Sequence, residues 1–447
     1  MTRPVDANLS AWVESQYAHC AHAMLRSVSA VDLVKDRPGF GHRIRASKGS
    51  VIASPVLGSY DPDPDYFFHW LRDSAVVMDA LRLLYEDGQV SDSALMQFDD
   101  FITFSLELGK LDGRTLVRDR SWRNQVAADF EKFLRADVDL ETALGDAVAG
   151  ETRFNPDGTL DISKWGRPQN DGPPLRVLTL LRWFDSVSFE EGLDERAATL
   201  LRADLHYTQR YWRDPSYDIW EEEKGLHYYT LSVSAAALEK GADWLENRGD
   251  EVTAGSARVQ ARIIRELLDN FWASEDGYYR SRVLEGGARS TKELDIAVIL
   301  AAIHAPGDTP RHSVRDPRMQ DTLRALERLF TADYPINQAL PVHRAPAMGR
   351  YHGDVYYSGG AYYFSTLGAA EFCFLAAAHG EPREWLARGN AYLETVRTYT
   401  PADGELSEQF DQKNGTQTSA RQLAWSYAAF ISCTNARRTA MNMENQV

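Results

Sequence analysis

The chain has 447 residues, 49 of them Lys or Arg and 65 Asp or Glu, for a formal net charge of −16 at pH 7. That balance lacks the basic patch of a nucleic-acid binder, and the longest apolar run, residues 296–303, is far short of the roughly 18 residues of a membrane span. Phe, Tyr and Trp total 49, as many as all the basic residues, so a large core or a ligand-facing surface must take them up.

At about 150 residues per domain, length alone suggests two or three domains. No Pro-, Gly- or Ser-rich linker divides the chain, however, and an alternation of two kinds of helical segment runs through it instead. The first fifteen residues, MTRPVDANLSAWVES, carry no apolar stretch after Arg3; no secretory signal is visible, and a cytoplasmic protein is expected. Leu9, Val13, Tyr17, Cys20 and Met24 then follow the helical period with a charged face opposite. Residues 75–85 are apolar nearly all round and predict a helix buried on every side. Leu95, Phe98, Ile102 and Leu106 are amphipathic again, and residues 175–184 read as buried. Residues 197–212 are a less regular amphipathic segment, and 228–238 are buried. Ile263, Ile264, Leu267, Leu268 and Phe271 precede the buried 296–303; Met319, Leu323, Leu326 and Phe330 precede the buried 361–378. The series ends with Trp385, Gly389, Tyr392 and Val396, then the buried 423–431. Strand signals are scarce and short. Six exposed and six buried segments in alternation predict an all-α fold in a single domain over residues 1–447, a closed double ring with six helices inside six. An open superhelix of helix pairs is the alternative, but it would carry a clear repeat, and none is evident.

Cys20, Cys373 and Cys433 are far apart and show no CxxC spacing, so neither a zinc knuckle nor a disulfide framework is expected. His69, His227, His343 and His352 are scattered and read as hydrogen-bonding side chains. No metal or cofactor is expected, since GxGxxG, GxxxxGK and GxSxG are also missing. Gly359-Gly360 reads as a tight turn into a buried helix rather than an anion site.

Polar–aromatic clusters fall just before five of the buried segments: YFFHWLRD from Tyr66, WGRPQNDG from Trp165, YDIWEEE from Tyr217, GRYHGDVYY from Gly349 and LSEQFD from Leu406. In an alternating ring the N-terminal ends of the inner helices all face one way, which gathers the five clusters at one end. A cleft of Tyr, Trp, Arg and carboxylates suits a sugar: its apolar face stacks on rings, and its hydroxyls need forked and charged partners. Glycoside hydrolysis needs two carboxyl groups. Taken alone, Glu221-Glu222-Glu223 reads as a solvated acidic patch or a helix's first turn, and Glu408 as a surface carboxylate. Their shared location with the aromatics makes both candidates, with Trp220 expected to shield Glu221 and raise its pKa.

At these clusters the sequence resembles glycoside hydrolase family 15, the glucoamylases, and most of all the type with one catalytic domain familiar from fungi. The matching stretches are PDYFFHWLRDSAVV, KWGRPQNDGPPLR, YDIWEEEKG, GRYHGDVYYSGG and LSEQFDQKNGTQTSARQLAWSYAAF, in family order over about residues 50–433. The resemblance implies an (α/α)6 barrel and inverting, exo-acting hydrolysis of α-1,4-linked glucans or maltooligosaccharides, with slower α-1,6 cleavage, releasing β-D-glucose. It implies Glu221 as general acid and Glu408 as general base, held about 6.5–9.5 Å apart to admit a water. Arg72 and Asp73 match the pair that grips the terminal glucose, with Trp70 and Tyr66 as walls. Trp165, Glu222, Arg350, Tyr356 and Trp425 match further substrate contacts. Asn170, Lys224 and Tyr362 depart from the family pattern and are expected toward the leaving-group side. No starch-binding module or N-terminal β-domain is expected, so soluble maltooligosaccharides suit better than raw granules. A monomer without nucleic-acid or membrane partners is expected. The alternatives are a family member preferring α-1,6 linkages and a non-catalytic glucan-binding regulatory protein; the presence of both glutamates opposes the latter.

Overall fold

Segments that are apolar on every side belong in the middle of the molecule. The computed structural model describes residues 7–59, 62–307, 309–379 and 382–444; the first six residues, on which part of the N-terminal reading rests, lie outside them. The chain forms α1 (Ala7–Leu25), α2 (Leu71–Glu86), α3 (Ser93–Leu108) and the short α4 (Arg114–Arg118) and α5 (Asp137–Thr142). It continues through α6 (Gly172–Ser186), α7 (Glu191–Tyr211), α8 (Tyr228–Asn247), α9 (Glu251–Leu268) and α10 (Ala297–His304). The last four are α11 (Pro317–Asp333), α12 (Tyr363–Ala377), α13 (Pro382–Tyr399) and α14 (Ala424–Glu444).

In α12 every side chain from Tyr363 to Phe374 is buried, and in α6 every one from Gly172 to Leu181. By contrast α9 buries only Ala254, Ala257, Ala261, Ile264 and Leu268, a single stripe. The all-round apolar helices pack in a ring: α2 on α6, α6 on α8, α8 on α10, α10 on α12, α12 on α14, and α14 back on α2. That last contact closes the ring and excludes the open superhelix. The amphipathic helices α1, α3, α7, α9, α11 and α13 lie outside, each with its stripe against an inner helix, which gives the (α/α)6 barrel. One apolar cluster runs through both layers, from Leu9 to Ala440. Burying Val, Leu, Ile or Phe side chains here stabilises by about 1.5–3 kcal/mol each.

Local chemistry sets where helices start. Asp250 caps α9 by accepting from the Thr253 amide; Asp316 does the same for α11, whose first residue is Pro317. The inner helices α2, α6, α8 and α12 have no such side-chain cap. Three of these are entered from short paired strands instead. His69–Trp70 pairs with Arg153–Phe154 ahead of α2, and Ala361–Tyr362 with Gln409–Phe410 ahead of α12. Lys224–His227, ahead of α8, pairs with both Ser216–Tyr217 and Arg282–Leu284. The few strands therefore stitch together the loops at one end of the barrel. The predicted Gly359-Gly360 turn is there: Gly359 has φ +56°, and a Cβ on it would sit 2.0 Å from the Asp354 carbonyl oxygen. One predicted core position fails, since Ile263 is 38% exposed while its neighbour Ile264 is fully buried.

Candidate active site

The strands just described hold the loops before the inner helices at one end, and a cavity of about 70 Å³ opens among them. Tyr66 and Trp70, just ahead of α2, and Arg72 and Asp73 in its first turn form part of its wall; Trp165, Glu221, Arg350 and Glu408 come from four other loops, and Trp425 from the start of α14. Ala53, Phe364, Leu423 and Trp425, all buried, also line it. Through Tyr66 and Trp165 the cavity continues into an outer cleft of about 830 Å³, bordered by Glu222 and Tyr356. Every candidate residue from the sequence thus lies on this connected space.

Glu221 sits in a turn closed by its own amide on the Asp218 carbonyl at 2.9 Å, with φ +66°, in the left-handed region that a side chain rarely adopts. The turn is clamped from below. Asp218 accepts from the Glu222 amide at 2.8 Å and from Arg282 at 2.6 Å, and Arg282 also binds Glu223 and Asp295. The Glu221 carboxylate accepts from the Trp70 indole at 2.8 Å, from Arg72 at 3.1 Å and from the Trp165 indole. Trp220 does not shield it as expected. Its indole donates to Asp295 at 2.9 Å and its ring stacks on Phe364 and Trp425, because the turn sends neighbouring side chains in different directions.

Glu408 is 9% exposed and accepts from the Tyr66 hydroxyl at 3.2 Å and from Ser419. Burial raises its carboxyl to about 7, against the opposing pull of Ser419, Arg350 and Tyr66. Tyr66 in turn meets the Tyr356 hydroxyl at 2.9 Å and packs its ring 5.4 Å from that of Trp70. Arg72 binds Asp171 at 3.0 Å and Gln169 at 3.2 Å, and Gln169 donates to the Asp218 carbonyl at 2.7 Å. The arginine therefore ties the start of α2 to the turn that carries Glu221. Asp73 beside it is held up at about 6 by burial, with Arg72 pulling down and Glu221 and Asp171 pushing up.

Glu222 turns away from Glu221. It binds Arg350 at 3.0 Å, Lys292 at 2.6 Å and Tyr351, and these partners hold its carboxyl below the usual range despite its partial burial. Arg350 is fixed by Asp354 at 2.6 and 2.7 Å. Trp425 lies parallel to Phe364 with centroids 4.4 Å apart, and Arg153 covers the outer face of Trp165 at 3.6 Å.

The three departures from the family pattern are not on the leaving-group wall. Asn170 is buried; it accepts from Tyr207 at 2.7 Å and donates to the Tyr211 and Asp214 carbonyls, fastening its loop to α7 and the turn after it. Tyr362 lies under the Arg350 guanidinium, its hydroxyl between Asp354 and Gln409. Lys224 is exposed on a strand, opposite Tyr217. Backbone direction, not distance along the motif, decides which side chain reaches a cavity. Asp171, Asp295 and Ser419 were not singled out from the sequence, though each holds a wall residue. Asp171 and Ser419 stand inside two of the quoted motifs. Asp295 precedes α10, the one inner helix with no aromatic cluster to mark it.

A family model described as glycosyl hydrolases family 15 matches residues 40–387 and 382–435. "Glucoamylase 1" of Rhizopus oryzae is 26% identical over 488 residues, covering 97% of this chain and 72% of the relative. "Probable glucoamylase" of Schizosaccharomyces pombe is 28% identical, covering 96% and 92% respectively. Among solved structures, the glucoamylase of Hormoconis resinae superposes with a TM-score of 0.76 at 26% identity, covering 96% of this chain and 74% of that one. The Saccharomycopsis fibuligera enzyme, at 20% identity and TM-score 0.75 over 99% of both chains, shares the fold.

Proposed function

The chain belongs to family 15 of the glycosyl hydrolases, and we propose that it works there as a glucoamylase, removing glucose from the non-reducing ends of α-1,4-linked glucans with inversion. One observation carries the reading: two carboxylates from distant loops, Glu221 and Glu408, line a single small cavity together with the buried Trp70, Arg72, Asp73, Phe364 and Trp425. A chain end fits such a cavity and the middle of a chain does not.

In this reading the terminal glucose lies inside, with Arg72 and Asp73 on its hydroxyls and the rings of Trp70 and Trp425 against its apolar faces. Glu221 donates its proton to the glycosidic oxygen, and the bond from that oxygen to C1 breaks. Water attacks C1 from the opposite face and its proton passes to Glu408, so the glucose leaves as the β anomer. Ser419 and Tyr66 aim the base, while Asp218 and Arg282 keep the acid's turn in its left-handed shape. The hydrogen-bond chain from the Arg72 guanidinium through the Gln169 side-chain amide to the Asp218 carbonyl makes the glucose grip and the acid one mechanical unit. Following product anomers by NMR during maltotriose hydrolysis tests this directly. Glucose released first as the β anomer is expected; α-glucose first would refute inversion, and oligosaccharides without glucose would refute exo action.

A further inference from the structure

Neighbouring residues at the start of α2 face different spaces. Arg72 lines the catalytic cavity, and Leu71 lines a separate one of about 210 Å³ between α3, α6 and α7. Among the described residues, this second cavity shares no lining residue with the catalytic cavity or with the outer cleft. Its walls include Leu71, Leu108, Val148 and Phe154, which belong to a small apolar cluster of their own, and Leu200 of the main core. It therefore lies at a seam between two cores. Gly109, Asp146 and Ala203, all exposed, mark its mouth. Five polar side chains also line it, and three of them have partners within the protein. Tyr207 donates to Asn170 at 2.7 Å, Asp146 accepts from Arg210 at 3.1 Å, and Asp204 accepts from Arg176 Nε at 2.7 Å and Nη2 at 2.8 Å. Those last two bonds occupy one edge of the guanidinium and leave Nη1 on the other. Neither Arg176 Nη1 nor the Ser105 hydroxyl has a partner among the described residues, although Arg176 is only 4% exposed and Ser105 2%. A buried polar group left unpaired costs about 1–3 kcal/mol, which a bound acceptor recovers.

We propose that this cavity is a second binding site, for a small neutral molecule with an apolar body and one carbonyl oxygen. The volume suits a six-membered ring with a short substituent, since a dry apolar cavity of about 150 Å³ already takes benzene. A carbonyl oxygen has two lone pairs and can accept from Arg176 and Ser105 together. A carboxylate does not suit the site: the Arg176 charge is already matched by Asp204, and a second buried anion would go uncompensated. The site is separate from the roles given above to Glu221 and Glu408 and stands even if those fail.

Calorimetric titration of the full chain with acetophenone tests this, with ethylbenzene and phenylacetate run alongside at neutral pH. Saturable acetophenone binding with a sub-millimolar Kd is expected. Ser105→Ala removes one donor and should weaken acetophenone about 5-fold while leaving ethylbenzene within about 2-fold. Ala203→Trp, on the exposed rim, sets a large ring over the mouth; it should abolish acetophenone binding and leave the Tm unchanged. Binding that survives Ala203→Trp lies elsewhere and overturns the proposal. So does the absence of saturable binding, which would mean that water alone meets the two polar groups. Equal weakening of acetophenone and ethylbenzene by Ser105→Ala would report a lost shape rather than a lost hydrogen bond, and overturns the carbonyl assignment. Phenylacetate bound as tightly as acetophenone overturns the choice of a neutral ligand.

Discussion

Glu408 works against its surroundings. Burial favours its neutral form and raises its carboxyl to about 7, yet a general base must be ionised. The acid side of the kcat/KM profile on maltotriose should therefore fall as pH drops through about 7. Ser419 donates to the carboxylate and so favours the charged form; Ser419→Ala should move that limb to higher pH while the limb's slope is kept. An unmoved limb would mean the hydroxyl has no hold on the base. Ser419 and Glu221 both sit in the left-handed region, at φ +65° and +66°, a cost of about 1–3 kcal/mol each that the surrounding bonds must offset. The identities of Glu221 and Glu408 were legible from their company of aromatics. Their conformations were not, because these depend on Asp218, Arg282, Asp295 and Ser419, whose partners lie far away in sequence or come with no local pattern.

Helices were legible where burial is periodic or complete and illegible where polar residues interrupt it. α14 continues to Glu444, well past the apolar run ending at residue 431. Thr434 and Arg437 break that run in sequence, but Cys433, Ala436 and Ala440 still bury into the common core. Gly389 shows the reverse, a residue poor for a helix placed where a helix needs it. A Cβ there would lie 2.4 Å from Cε1 of Phe374, a fully buried ring of α12. In an exposed helix Gly→Ala gains about 1 kcal/mol. Here the clash outweighs that gain, and Gly389→Ala should destabilise by about 1–3 kcal/mol, seen as a lower Tm. A raised Tm would show that Phe374 swings aside at no cost.

At the scale of the whole molecule, the alternation in the sequence left two architectures open, and only the contact of α14 with α2 separates ring from spiral. The ring encloses polar groups as well as apolar ones. Glu371, on α12, points into the barrel interior, where it accepts from Ser432 at 2.5 Å and shares a small cavity with Asp79, Arg182 and His304. Burial raises its carboxyl to about 7 from the ordinary 4.5. A carboxyl raised on folding contributes stability that is full below about 4.5 and lost as pH rises through about 7. Glu371→Gln keeps an acceptor for Ser432 and never ionises. The variant should match the wild type at pH 4 and exceed it by about 3 kcal/mol at pH 8, read by urea unfolding at both values. An equal difference at the two pH values would show that Glu371 does not titrate with folding.

The closing contact also has a schedule. A ribosome delivers the acid at position 221 well before Glu408 and the helix that shuts the ring. Until then α2 and α12 each present a bare apolar flank to water, the kind of surface that sticks to other chains. A stop or a cut ahead of Ala424 therefore does not leave a weaker enzyme; it leaves an adhesive fragment.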